Sequence, residues 1–227
     1  LLFYLFLIGC KQETKQTLIL PSLFSDGMVL QRDTTVALWG YASPNKAVHI
    51  SSSWGIKGST NSDKDGRWRA NLETESGPGT HSLLITSRMD KIKIENILLG
   101  EVWLAAGQSN MEMTFDYCCN STDSSEVELS KANYPYIRMF NVKKNLSGQP
   151  IEIVEGSWTP ALGSQITNFS AVGYFFAKKL NKDLGVPVGI INSSWGSSNT
   201  EAWTSLDAIS GLEEYKNEIT SSNDLIL

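Results

Sequence analysis

Val102-Trp103-Leu104-Ala105-Ala106-Gly107-Gln108-Ser109-Asn110 is the stretch on which the architecture turns. Five apolar residues without polar alternation read as a buried strand, and Gly107 allows a sharp backbone turn at its end. Ser109 follows at the strand tip, where its hydroxyl would project from the sheet edge.

The downstream sequence continues in the same grammar. Residues 124–133 suit a short helix, and Tyr136-Ile137-Arg138-Met139-Phe140-Asn141-Val142 reads as a second strand. A longer helix is expected after Asn168 as N-cap, with Phe169, Val172, Phe175, Phe176 and Leu180 at helical spacing and Gly185 as C-cap. Pro187-Val188-Gly189-Ile190-Ile191-Asn192 then reads as a third buried strand. Strands alternating with helices imply a parallel sheet and an α/β fold, with ligands at the carboxyl ends of the strands. Gly107-Gln108-Ser109-Asn110 and Ser193-Ser194-Trp195-Gly196 occupy two such ends.

Upstream the pattern differs. Strands are expected at residues 35–39, 47–50, 67–72 and 81–85, separated by Ser43-Pro44-Asn45, Asp63-Lys64-Asp65-Gly66 and Ser76-Gly77-Pro78-Gly79. Short strands punctuated at such intervals predict a small antiparallel β-sandwich. The expected organisation is therefore a leader and linker at 1–17, a β-sandwich at 18–97, and an α/β domain at 98–227.

The 227 residues are 41% hydrophobic and 19% charged, the balance of a chain that buries a core. A net charge of −5 and the lack of any basic cluster beyond Lys143-Lys144 or Lys178-Lys179 argue against a nucleic-acid partner. Leu1 to Ile8 is unbroken apolar sequence, too short to span a bilayer but apt for the core of an export signal. Leu7-Ile8-Gly9-Cys10 resembles a bacterial lipobox, which would make Cys10 the lipidated residue. The expectation is export to a bacterial periplasm or cell surface, with membrane contact only through that anchor; an ordinary export signal with an incidental Cys10 is the alternative. After Cys10 the remaining cysteines, Cys118 and Cys119, are adjacent, poorly placed to bridge each other, and lack a third or fourth Cys or a nearby His for a zinc site.

Ser109 suits a nucleophile whose own amide points at a developing oxyanion, although a Gly-x-Ser at a strand end also serves as a plain turn. The Gly-x-Ser-x-Gly elbow is absent, because position 111 is Met. Gly196 offers a second oxyanion amide or, alternatively, simple relief of crowding in a loop.

Gly100-Glu101-Val102-Trp103-Leu104-Ala105-Ala106-Gly107-Gln108-Ser109-Asn110-Met111-Glu112 resembles the nucleophile block of the sialate O-acetylesterase family, within the SGNH-type esterases. Residues 169–177 are similar to its helix. Residues 187–196, followed by Glu201-Ala202-Trp203, are similar to its second block, and residues 23–31 to the opening of its β-domain. The resemblance implies a partial SGNH-type α/β domain and a metal-free Ser-His-Asp esterase acting on acetylated carbohydrates, with no cofactor. Ser109 would attack the acetyl carbonyl, and the amides of Ser109 and Gly196 would hold the oxyanion. Trp195, Glu201 and Trp203 are candidate substrate-binding residues. One departure is evident: the family pattern has two glycines and a Thr after the Trp, whereas this chain has Gly196-Ser197-Ser198.

The resemblance also places the catalytic Asp and His beyond residue 227. His49 and His81, the two histidines of the chain, fall in the β-sandwich as strand-surface residues. These residues alone are therefore expected to be inactive or nearly so. Two other functions remain open: a non-catalytic sugar-binding lipoprotein using aromatics such as Trp54 or Tyr41, and an inactive truncated product.

Overall fold

A computed structural model describes residues 18–118 and 123–212. Cys10 and Cys119 fall outside the described residues, as does the leader and linker segment 1–17.

Strands β1 (Val29–Gln31), β2 (Thr35–Tyr41), β3 (Ala47–Ser52), β4 (Lys57–Asn61), β5 (Arg67–Glu73) and β6 (His81–Ser87) lead into a long strand, β7 (Asp90–Gly107). Helices α1 (Ser109–Glu112), α2 (Phe115–Cys118) and α3 (Asp123–Lys131) follow. After them come β8 (Asn133–Asn141), β9 (Trp158–Leu162), α4 (Ala171–Leu184), β10 (Val188–Ser194) and α5 (Leu206–Ile209).

Period-two patterning builds the first half. In β5, Trp68, Ala70 and Leu72 are buried while the intervening residues are exposed, and Val48 and Ile50 do the same in β3. The β2–β5 pair forms its own antiparallel sheet, whereas β3, β4 and β6 join β7 in a sheet ordered β4-β3-β6-β7-β10-β8-β9. Leu38, Trp68 and Leu72 from one layer meet Val48, Ile50, Leu83 and Ile85 from the other in a single core. This is a two-layer antiparallel packing, with β1 added in parallel to β7.

The second half is α/β. β10 lies between β7 and β8, parallel to both, and β9 closes the far edge in antiparallel pairing with β8. One face of this sheet buries Met139, Ile190 and Ala105 against Tyr174 and Ala177 of α4. β7 belongs to both halves. It pairs antiparallel with β6 over residues 90–97 and parallel with β10 over residues 101–107, so residue 98 lies inside an unbroken strand. Arg138 of β8 also joins the halves. Its buried guanidinium donates to the carbonyls of Gly27 at 2.7 Å and Asn96 at 2.5 Å, and to Asn96 Oδ1 at 2.9 Å.

Two details of α4 differ from expectation. Its N-cap is Ser170, whose Oγ accepts from the Gly173 N–H at 3.1 Å. Asn168 ends a preceding 3₁₀ turn (Gly163–Asn168) and leaves Phe169 extended. The buried face is also different. Gly173, Tyr174 and Ala177 point inward, while Val172, Phe175 and Phe176 are about half exposed. Tyr174 enters the core because Glu128 of α3 receives its hydroxyl at 2.5 Å, so the polar tip is satisfied. Phe176 instead packs edge-on against Trp103, with centroids 5.2 Å apart. At the other end, Gly185 is the C-cap in left-handed conformation, its N–H bonded to Asn181.

Candidate active site

The site is built where β7 and β10 end together. They run in parallel register from Val188 opposite Glu101 to Ser194 opposite Gly107, and the Trp195 N–H donates to the Gly107 carbonyl at 2.9 Å. Gly107 turns with φ +151°, a conformation that side chains disfavour, and α1 starts two residues later. The Gln108 carbonyl accepts the N–H groups of Met111 and Glu112 at 3.0 and 2.9 Å. This turn leaves Ser109 exposed at the start of α1. With Gln108, Asn110, Met111 and Val172 it lines a cavity of about 430 Å³.

The loop after β10 comes directly onto Ser109. A methyl group at Gly196 would lie 3.0 Å from Ser109 Oγ, 3.4 Å from Ser109 Cα and 2.7 Å from Glu112 Oε2. A side chain at this position would make Ser109 Oγ and the Glu112 carboxylate give way. The loop is pinned to the β7–α1 turn by two further contacts. The Gly196 N–H donates to Glu112 Oε2, and Gln108 Nε2 donates to the Ser198 carbonyl. Lys144, from the segment after β8, donates to Glu112 Oε1 and stands 5.4 Å from the centre of the Trp195 ring. The Lys144 hydrogen bond, helped by the Gly196 N–H and opposed by partial burial, holds the Glu112 carboxyl below the usual carboxylate range.

The sequence-predicted residues separate here. Ser109 and Gly196 are brought together. Trp195 and Trp203 line a second cavity, of about 560 Å³, with Lys143 and Lys144. Trp203 Nε1 donates to Ser198 Oγ at 2.7 Å, and that hydroxyl donates to the Trp195 carbonyl at 2.6 Å. Glu201 sits in the same 3₁₀ turn as Trp203 (Thr200–Trp203) but does not line that cavity. The histidines lie in β3 and β6, on the other arm of the sheet, and line neither cavity. His49 is exposed, and the His81 ring packs edge-on to Trp54 at 5.5 Å. Trp54 and Tyr41 are engaged by the protein itself: Trp54 Nε1 donates to the Glu73 carbonyl and the Tyr41 hydroxyl to Glu152.

Sequence reasoning assigned no role to Glu112 or Lys144. Glu112 stands three residues after Ser109 in what became α1, so helical spacing alone puts the two on one face. Nothing local marks Lys144, which is 32 residues farther on.

No family model matches the chain. Individual proteins do. The sialate O-acetylesterases of Pongo abelii and Homo sapiens are each 30% identical over 203 residues, 81% of this chain and 38% of theirs. A solved structure, a carbohydrate acetylesterase from Xanthomonas citri, superposes with a TM-score of 0.78 at 36% identity, covering 86% of this chain and 44% of that one. Over four fifths of its length the chain is similar to sialate O-acetylesterases and to a carbohydrate acetylesterase. As a sialate O-acetylesterase relative, it spans well under half the length of the curated family members it matches.

Proposed function

We propose that this protein is a carbohydrate O-acetylesterase in which Ser109 is the nucleophile. The observation that carries the reading is the placement of the Ser109 hydroxyl 3.0 Å from where a Cβ on Gly196 would lie, at paired ends of two parallel strands. Ser109 Oγ attacks the acetyl carbonyl carbon, and the carbonyl π electrons move onto oxygen. The N–H groups of Ser109 and Gly196 receive that oxyanion. Collapse expels the sugar oxygen, which takes up the proton that left Ser109, and water then releases acetate from acetyl-Ser109.

The Ser-His-Asp mechanism requires an imidazole that neither His49 nor His81 supplies from its place in the sheet. The base and its carboxylate partner are therefore assigned to the protein outside these residues. Substrate choice rests on the cavity with Trp195 and Trp203, whose size suits a sugar ring with its acetyl group. Sialic acid and acetylated plant polysaccharide are both compatible with it.

The test uses protein expressed from its whole reading frame, treated with a serine-directed phosphonate and mapped by mass spectrometry. A single adduct on Ser109, absent in Ser109→Ala, with acetate released from acetylated sugars by the wild type alone, is expected. A folded protein that forms no adduct and releases no acetate would make Ser109 a turn residue and return the chain to the sugar-binding reading.

A further inference from the structure

Glu112 is a carboxylate in direct contact with the loop that faces Ser109, and three observations converge on it. Its Oε2 accepts the Gly196 N–H, the amide assigned above to the oxyanion. Its Oε1 accepts from Lys144, so both oxygens are held at once. It leaves α1 on the face of Ser109, and Ser109 Oγ and Glu112 Oε2 both crowd the same point beside the Gly196 Cα.

We infer that Glu112 is a positioning residue, a placeholder that keeps the Gly196 N–H aimed into the space beside Ser109 until substrate arrives. Lys144 is its second partner, on the other carboxylate oxygen. The inference rests on the esterase reading and deepens it.

The physical case concerns reorganisation. An amide on an exposed loop turns to water unless something holds it, and a donor that must be re-aimed during reaction loses most of its catalytic advantage. A carboxylate oxygen has the charge and size of an oxyanion, so a loop folded around it is already shaped for one. The carboxylate must yield when the true oxyanion forms, because two anions cannot share one N–H closely. Lys144 makes this inexpensive. It already binds the other oxygen, so Glu112 withdraws along an existing ion pair rather than into water. The contact of Lys144 with the Trp195 ring keeps the ammonium at the loop while this happens.

The same geometry accounts for the cavity wall. Lys144 and Trp195 both line the larger cavity. A sugar entering there meets the ammonium that holds Glu112, so substrate binding and release of the amide share one side chain.

The test compares Glu112→Ala, Glu112→Gln and Lys144→Met in protein expressed from its whole reading frame, with an activated acetyl ester as probe. Glu112→Ala is expected to lower kcat on the order of 10²-fold with KM within about twofold. Glu112→Gln, which keeps an oxygen acceptor for Gly196, is expected to recover most of that loss. Lys144→Met leaves Glu112 without its second partner and is expected to lower kcat while thermal stability stays unchanged. Hydrogen exchange at the Gly196 amide gives a readout independent of turnover, and it is expected to speed up in Glu112→Ala and not in Glu112→Gln. Wild-type rates in Glu112→Ala, or unchanged exchange at Gly196, would overturn the inference. An inactive wild type that forms no Ser109 adduct would instead overturn the esterase reading, leaving the exchange measurement to judge Glu112 as a loop brace.

Discussion

The Ser109 hydroxyl oxygen lies beside Gly196 at the tips of two adjacent parallel strands, 3.0 Å from where a Cβ on that glycine would stand. The sheet register creates this relationship. Ser194 is paired with Gly107, so both chains leave the sheet at the same level and their next residues meet.

Gly196→Ala tests that contact. The added Cβ would press on Ser109 Oγ at 3.0 Å and on the Ser109 backbone at 3.4 Å, displacing the loop by a few tenths of an ångström. Moving one oxyanion donor out of line costs on the order of 10²–10³ in rate. We expect kcat/KM for an acetyl ester to fall by about that factor while the protein stays folded. A variant with more than a tenth of wild-type activity would contradict it.

Ser197→Gly is expected to stabilise. Ser197 holds φ +60°, the left-handed region that costs a side-chain-bearing residue roughly 1–2 kcal/mol, partly offset by the flexibility glycine adds to the unfolded chain. A net gain of about 0.5–1 kcal/mol should raise the thermal midpoint by about 2 °C. Ser197→Val should lower it.

Glu128 gives the fold a pH dependence. Burial pushes its carboxyl up, but hydrogen bonds from Lys178 and Tyr174 and the Lys178 charge together hold it below the ordinary glutamate range. A carboxyl depressed in the folded state stabilises fully above its unfolded pKa, and the contribution is lost as pH falls through the folded value. Glu128→Gln should therefore unfold at lower denaturant than wild type at pH 7. The gap should shrink as pH falls below about 4.3. Denaturant midpoints measured from pH 7 to pH 3 for both proteins decide it; a gap that stays constant would remove Glu128 from the account.

Much of this was legible in the sequence, for identifiable reasons. The strands at 35–39, 47–50, 67–72 and 81–85 show period-two burial or turn formers at their ends, and each has its counterpart in β2, β3, β5 and β6. Gly185 marked the end of α4 because its left-handed conformation has a residue preference. β9 was missed since Pro160 interrupts a run that reads poorly as a strand, and an edge strand tolerates it. Of the apolar residues at helical spacing, Phe169 is buried while Val172, Phe175 and Phe176 are about half exposed, and Tyr174 is buried through a hydroxyl partner in another helix that spacing does not reveal. At the site, Ser109 and Gly196 stood out by type and position, while the Glu112–Lys144 pair depends on tertiary approach and leaves no local signature.

β7 carries a further consequence. Its 18 residues place Ile94, Ile97 and Leu99 in one core and Ala105 in the other, with a bulge between Ile94 and Ile97, where Asn96 takes φ +56°, resetting the alternation. From Glu101 to Gly107, where the strand runs in continuous register with β10, side chains alternate sides, so the parity of the count over that span is fixed. Losing or gaining one residue there would exchange Trp103 and Ala105 with Leu104 and Ala106 across the sheet, and Ser109 would leave the strand tip facing the wrong way. Within that span the length can change only in whole pleats if the site is to keep its place.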